Sequence, residues 1–175
     1  MKSLFISVFL AASLAAHCQT ISVEYDKTRD FTKYKTFSFG RSQITTPKDE
    51  KQVDNATVDR WIVGAIKSQL EQIGLTKTDS AADLIITYTE GTMARTDSEQ
   101  LGPLALTPGN NPDRNFTFRY RQSNLVIDMN DRSGNLIWRV NSTTNMTSTE
   151  IEKTVDVIVA RGFKKFAKAH RKKKK

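Results

Sequence analysis

Two alternating stretches on either side of a tight turn constrain this chain more than any other feature. Leu125 to Asp128 and Leu136 to Asn141 flank the segment Asp131-Arg132-Ser133-Gly134-Asn135. Gly134 supplies the positive φ that such turns often need, so the stretch reads as a β-hairpin. The same rule, alternate side chains to opposite faces, marks further strands. Ile21 to Tyr25 reads as a first strand, Tyr34 to Phe39 as a second, and Phe116 to Tyr120 as one that precedes the hairpin. Ala82 to Glu90 is a strong strand, rich in branched and aromatic residues. Gly40 to Asp54 is a polar loop holding Pro47, and Thr92 to Asn115 is a long irregular stretch punctuated by Pro103, Pro108 and Pro112.

Two stretches carry a helical period instead. From about Asn55 to Ile73, the residues Val58, Ile62, Ala65, Ile66, Gln69 and Leu70 fall near one stripe. Trp61 and Ile73 widen that face, and Gly74 is a natural stop. Thr149 caps a final helix that turns Ile151, Val155, Ile158, Val159, Gly162, Phe163 and Phe166 inward. The sum is an α+β domain: an antiparallel β-sheet of about five to six strands with two helices packed on one face.

The first residues do not belong to that fold. Lys2 and the apolar run from Leu4 to Ala16 read as a secretory signal peptide, too short to span a bilayer. Residues 1–18 are assigned to the signal, 19–163 to a single domain, and 164–175 to a basic, lysine-rich tail. Cys18, the only cysteine, is a candidate for lipidation, yet His17 occupies the place where a lipoprotein signal wants a small residue. The expectation is an exported protein, periplasmic or secreted, with a lipid-anchored outer-membrane form as the alternative. One cysteine permits no intrachain disulfide.

Charge is similarly partitioned. The formal net charge is +8, and eight positive residues lie in Lys164, Lys165, Lys168, Arg171 and Lys172 to Lys175. Setting these and Lys2 aside leaves 18 basic residues against 19 acids, so the body is near neutral. A nucleic-acid groove across the domain is not expected, whereas a local contact of the tail with an anionic membrane surface is open.

Motifs along the chain carry a family resemblance. Val23-Glu24-Tyr25-Asp26 precedes Asp30-Phe31-Thr32-Lys33-Tyr34-Lys35-Thr36-Phe37, and Ala82-Asp83-Leu84-Ile85-Ile86-Thr87-Tyr88 follows. Asn124-Leu125-Val126-Ile127-Asp128-Met129-Asn130-Asp131 then runs on to Gly134-Asn135-Leu136-Ile137-Trp138-Arg139. In order and spacing these resemble the DUF4136 family, and the match covers most of the chain beyond the leader. The resemblance implies a secreted or lipid-anchored bacterial α+β domain of undefined activity. The chain departs from the pattern at Val140, where a small residue is usual, in its lipoprotein signal and in its lysine tail.

Side-chain chemistry narrows the function by what it lacks. The two histidines, His17 and His170, fall in the leader and the tail, so no Ser-His-Asp or Cys-His triad and no Cys/His zinc site is expected. No glycine motif cradles a phosphate, and no cofactor is implied. A carboxylate pair is what survives, with Asp128 and Asp131 as its members beside a sugar-stacking Trp61 or Trp138. The competing reading makes Asp131 the cap of its own turn, ties Asp128 to a neighbouring strand or loop, and buries the tryptophans. Asp26, Asp30 and Asp83 are read the same way, as backbone fasteners.

Partner contact is expected at two places. Leu101, Leu104 and Leu106 form an apolar segment in an otherwise polar loop, and Lys172, Lys173, Lys174 and Lys175 end the tail. The leading function is a non-enzymatic envelope module contacting another envelope protein or polymer. A carboxylate-dependent glycan-binding or glycan-hydrolysing protein is one alternative, and a protein held on anionic lipid by its tail is another.

Overall fold

The computed structural model describes residues 19–100, 115–146 and 151–171. Strands β1 (Gln19–Tyr25), β2 (Thr36–Phe39), β3 (Gln43–Ile44), β4 (Thr76–Lys77), β5 (Leu84–Gln100), β6 (Asn115–Asp131) and β7 (Leu136–Met146) form one sheet. Two helices, α1 (Asn55–Ile73) and α2 (Ile151–Arg171), complete the α+β domain. The spatial order is β1-β7-β6-β5-β2-β4, with β3 also beside β5.

The sheet is mixed, which corrects the expected antiparallel arrangement of five to six strands. β1, β7, β6 and β5 are antiparallel neighbours, whereas β2 and β3 run parallel to β5 and β2 runs parallel to β4. The reason lies in the connection. Parallel neighbours need a crossover, and α1 supplies it between β2 and β4. β3 and β4 are two-residue pairings too short to leave a periodic trace.

The stretch expected to be irregular from Thr92 is strand as far as Gln100. β5 and β6 pair residue by residue from Leu84↔Asp131 to Gln100↔Asn115, so Phe116–Tyr120 and Leu125–Asp128 belong to one strand. Polar residues on both sides of Arg95–Asp97 erase the alternation, but backbone pairing does not require it.

One face of the sheet makes the core. Phe37, Leu84, Ile86, Leu125, Ile127, Met129, Trp138 and Val140 cluster with Ile62, Ile66 and Leu70 of α1 and with Val159, Phe163 and Phe166 of α2. Burying each large apolar side chain contributes about 1.5–3 kcal/mol. Trp138 is stacked on Tyr25 with ring centroids 4.3 Å apart and meets Phe31 and Phe166 edge-on. Trp61 departs from expectation: it is half-buried and outside that core.

Local chemistry sets the helix ends. The Asp54 carboxylate accepts from the Thr57 N–H at 2.8 Å at the start of α1, and Gly74 ends it in a left-handed conformation, φ 106°. In α2, Gly162 lets the helix approach β7, since a Cβ there would lie 2.6 Å from Val140 Cγ1. The helix continues to Arg171, so residues 164–171, grouped with the tail by sequence, form its last turns and bury Phe166 and His170. His170 Nε2 lies 2.8 Å from the Tyr34 carbonyl oxygen.

Candidate functional site

The hairpin turn between β6 and β7 holds the residues that sequence chemistry singled out. Asp131 Oδ1 accepts from the backbone N–H groups of Ser133 at 3.0 Å and Asn135 at 2.9 Å, and Arg29 donates to Oδ2 at 2.9 Å. The Asn135 side chain, then its backbone N–H, Arg29 and Ser133 lower the Asp131 pKa to about 2, against a smaller opposing effect of burial. Such a carboxylate stays ionised near neutrality and holds the turn. Asp128 of β6 lies directly opposite Arg139 of β7, which donates from Nε and an Nη to its two oxygens at 2.6 Å each. Hydrogen bonding to Asp128, then its charge, raises the Arg139 pKa, and Glu24 adds to the effect.

The other acids fasten backbone as well. Asp83 Oδ2 accepts from the N–H groups of Lys35 at 2.8 Å and Thr36 at 3.0 Å, which lowers its pKa. Arg132 donates to the carbonyls of Ala81 and Ala82 and to Asp83, holding the Ala81 bend at φ 47°. Asp26 receives the Thr28 N–H and hydroxyl, and Asp30 receives those of Thr32. Each of these carboxylates already has its partners.

The face of the sheet away from the helices is built differently. Register places Thr87, Asp128, Arg139 and Glu24 in one row across four strands, and Thr89, Val126, Asn141 and Ser22 in the next. A further row is Gly91, Asn124, Thr143 and Thr20, with the Thr143 hydroxyl 2.8 Å from Asn124 Oδ1. These side chains are exposed or half-buried, and no described helix packs over them. The result is a broad polar surface of hydroxyl and amide groups around one ion pair.

Toward the far end of the helix-covered face the core also turns polar. Glu90, 6% exposed, accepts hydroxyl hydrogen bonds from Thr92 (2.8 Å), Ser123 (3.0 Å) and Thr46 (3.1 Å). Ser142 Oγ and Thr144 Oγ1 are buried there without a hydrogen-bond partner among the described residues. The adjoining cavity, lined in part by Glu50, Glu90 and Arg121, measures 30 Å³, a space for water rather than for a substrate. At the opposite edge of the sheet, Ile21, Val23, Arg161 and Lys165 line a larger one of 260 Å³ between β1 and α2.

Asp128 and Asp131 are thus near one another in the hairpin but serve separate structural contacts. Trp138 is wholly buried in the core, and Trp61 does not join it. Leu101, Leu104, Leu106, Lys172 to Lys175, Cys18, residues 1–18 and Thr149 lie outside the described residues. Sequence reasoning missed the Asp128–Arg139 pair, although a hairpin centred on Gly134 puts the two residues opposite each other. It also missed the burial of His170, which sits one helical turn beyond Phe166 on the apolar stripe. The position of β1 at an edge left no local signal.

These features define an α+β fold with a mixed sheet, helices on one face and a polar surface on the other. The chain belongs to the DUF4136 family: the family profile, Domain of unknown function (DUF4136), matches residues 21–166. Comparison with curated proteins gave no match. Among solved structures, a DUF4136 family protein from Bacteroides thetaiotaomicron is similar in fold, with a TM-score of 0.51 and 14% identity over 87% of this chain and 97% of that one. A PelC dodecamer from Paraburkholderia phytofirmans gives a TM-score of 0.50 and 9% identity, covering 89% of this chain and 99% of that one. A PDZ domain protein from Parabacteroides distasonis gives a TM-score of 0.51 and 16% identity over 89% of this chain, which spans only 37% of that protein.

Proposed function

We propose that this chain is an exported, non-enzymatic module that contacts another envelope protein or an envelope polymer. The observation that carries the reading is the one-sided sheet. Its helix face is packed, whereas its other face presents Thr89, Asn141, Ser22, Asn124 and Thr143 across adjacent strands. Flat arrays of hydroxyl and amide groups donate and accept hydrogen bonds without carrying net charge, which suits a neutral polymer or a polar protein surface. The engagement of Asp128 by Arg139 and of Asp131 by its own turn supports a binding role over carboxylate catalysis. The similar fold of a PelC dodecamer is consistent with a scaffold used in assemblies.

Site-specific photo-crosslinking in the producing cell tests the reading. A crosslinker at Asn141, exposed on the uncovered face, is expected to yield a higher-mass adduct, and one at Lys67, exposed on α1, is not. Equal or absent adducts at both positions would remove this face from consideration. The intact mass of the mature protein addresses its location: a start at Gln19 marks a soluble exported form, and a start at acylated Cys18 a lipid-anchored one.

A further inference from the structure

We propose that β1 is a docking edge that accepts an extended, acidic segment of a partner protein as an added strand. This surface is separate from the uncovered sheet face. Among the described residues β1 pairs with β7 alone and ends the sheet, so the backbone groups on its other side have no strand partner. Unpaired edges of this kind take up an additional strand through main-chain hydrogen bonds.

The ground beside the edge supplies selectivity. Ile21 and Val23 form the apolar part of the 260 Å³ cavity, and Arg161 and Lys165 of α2 form its charged part. Both cations are exposed, and neither makes an ion pair or hydrogen bond among the described residues. Lys168 continues the stripe toward the helix end. Four residues of helix rise about 6 Å, and two residues of strand advance about 6.8 Å. Acids at every second position of an added strand therefore match the Arg161–Lys165 spacing, while the intervening side chains face away.

Charge also decides between occupants. A second copy pairing through its own β1 would bring two α2 flanks of the same sign together, which is unfavourable. The other end of the sheet, β4, spans two residues and carries Lys77, so it offers neither the length nor the charge for a head-to-tail contact. A partner strand of opposite charge meets both requirements.

The test uses the purified full chain and an end-blocked eight-residue peptide alternating glutamate and valine. Titration calorimetry is expected to detect binding, and hydrogen exchange to show added protection at alternate β1 amides. Combining Arg161→Glu with Lys165→Glu, both at exposed positions, should weaken binding at least tenfold with an unchanged melting curve. A peptide N-methylated on its β1-facing amides keeps its charge and should lose affinity by a similar factor. Undiminished binding in either case would overturn the proposal, the first by removing the charge contact and the second by removing strand addition. Sedimentation showing a dimer whose β1 amides are protected without peptide would assign the edge to a second copy and overturn it as well.

Discussion

The two halves of the β5–β6 ribbon share one continuous ladder yet differ in what holds them. Between Leu84 and Glu90, and opposite between Leu125 and Asp131, alternate residues are buried against α1 and α2. Beyond Gly91 the same ladder continues, but Met93 to Asp97 are exposed. There the visible side-chain links are polar, such as Tyr120 to Asp97 at 2.7 Å and Arg95 to Gln122 at 3.3 Å. The contrast separates two contributions that are usually confounded. Backbone pairing sets the shape of both halves, and burial supplies most of the stability of only one.

Removing the largest core side chain should break the comparison most strongly. Trp138→Ala is expected to cost about 3–5 kcal/mol in urea unfolding, because it deletes the ring at the centre of the Tyr25, Phe31 and Phe166 cluster. A loss below about 1 kcal/mol would mean that the covered half is not the source of stability. Gly162→Ala should cost about 1–3 kcal/mol by forcing a methyl group into Val140. Adding Val140→Ala to that variant should recover part of the loss, measured as a double-mutant cycle, if the close approach of α2 is the cause.

Acid titration sharpens the comparison at the closed end of the hairpin. The pKa of Asp131, about 2 in the fold, lies below the ordinary unfolded value of about 3.9, so protonation favours unfolding. The contribution of this turn is present above about pH 4 and is lost as pH falls toward 2. Asp131→Asn should flatten that part of the stability–pH curve, read by denaturant midpoints. The smallest effect belongs to the exposed half of the ribbon. Arg95→Ala combined with Asp97→Ala should shift stability by no more than about 0.5 kcal/mol, while amide exchange there stays far faster than at Ile86 or Ile127.

Legibility followed the same division. Ile62, Ile66 and Leu70 in α1, and Val155, Val159 and Phe166 in α2, were readable because burial on one side of a helix leaves a period. Arg95 to Asp97 left none and read as loop, although they lie in a strand. Of the candidate site, the turn-capping role of Asp131 was legible from the residues that follow it. The polar rows across β5, β6, β7 and β1 were not, since they exist only once four strands stand side by side.

The order of residues was sufficient for whatever is settled within a few positions: the turn at Gly134, the stop at Gly74 and the main apolar stripe of each helix. Alternation states which way a strand's side chains point but not which strand lies next to it. The parallel pairing of β2 with β5, the burial of His170 against Tyr34 and the open edge at β1 depend on contacts between distant segments. Those contacts form because the apolar faces of both helices and of the sheet must be buried together, and that common packing selects one neighbour for each strand.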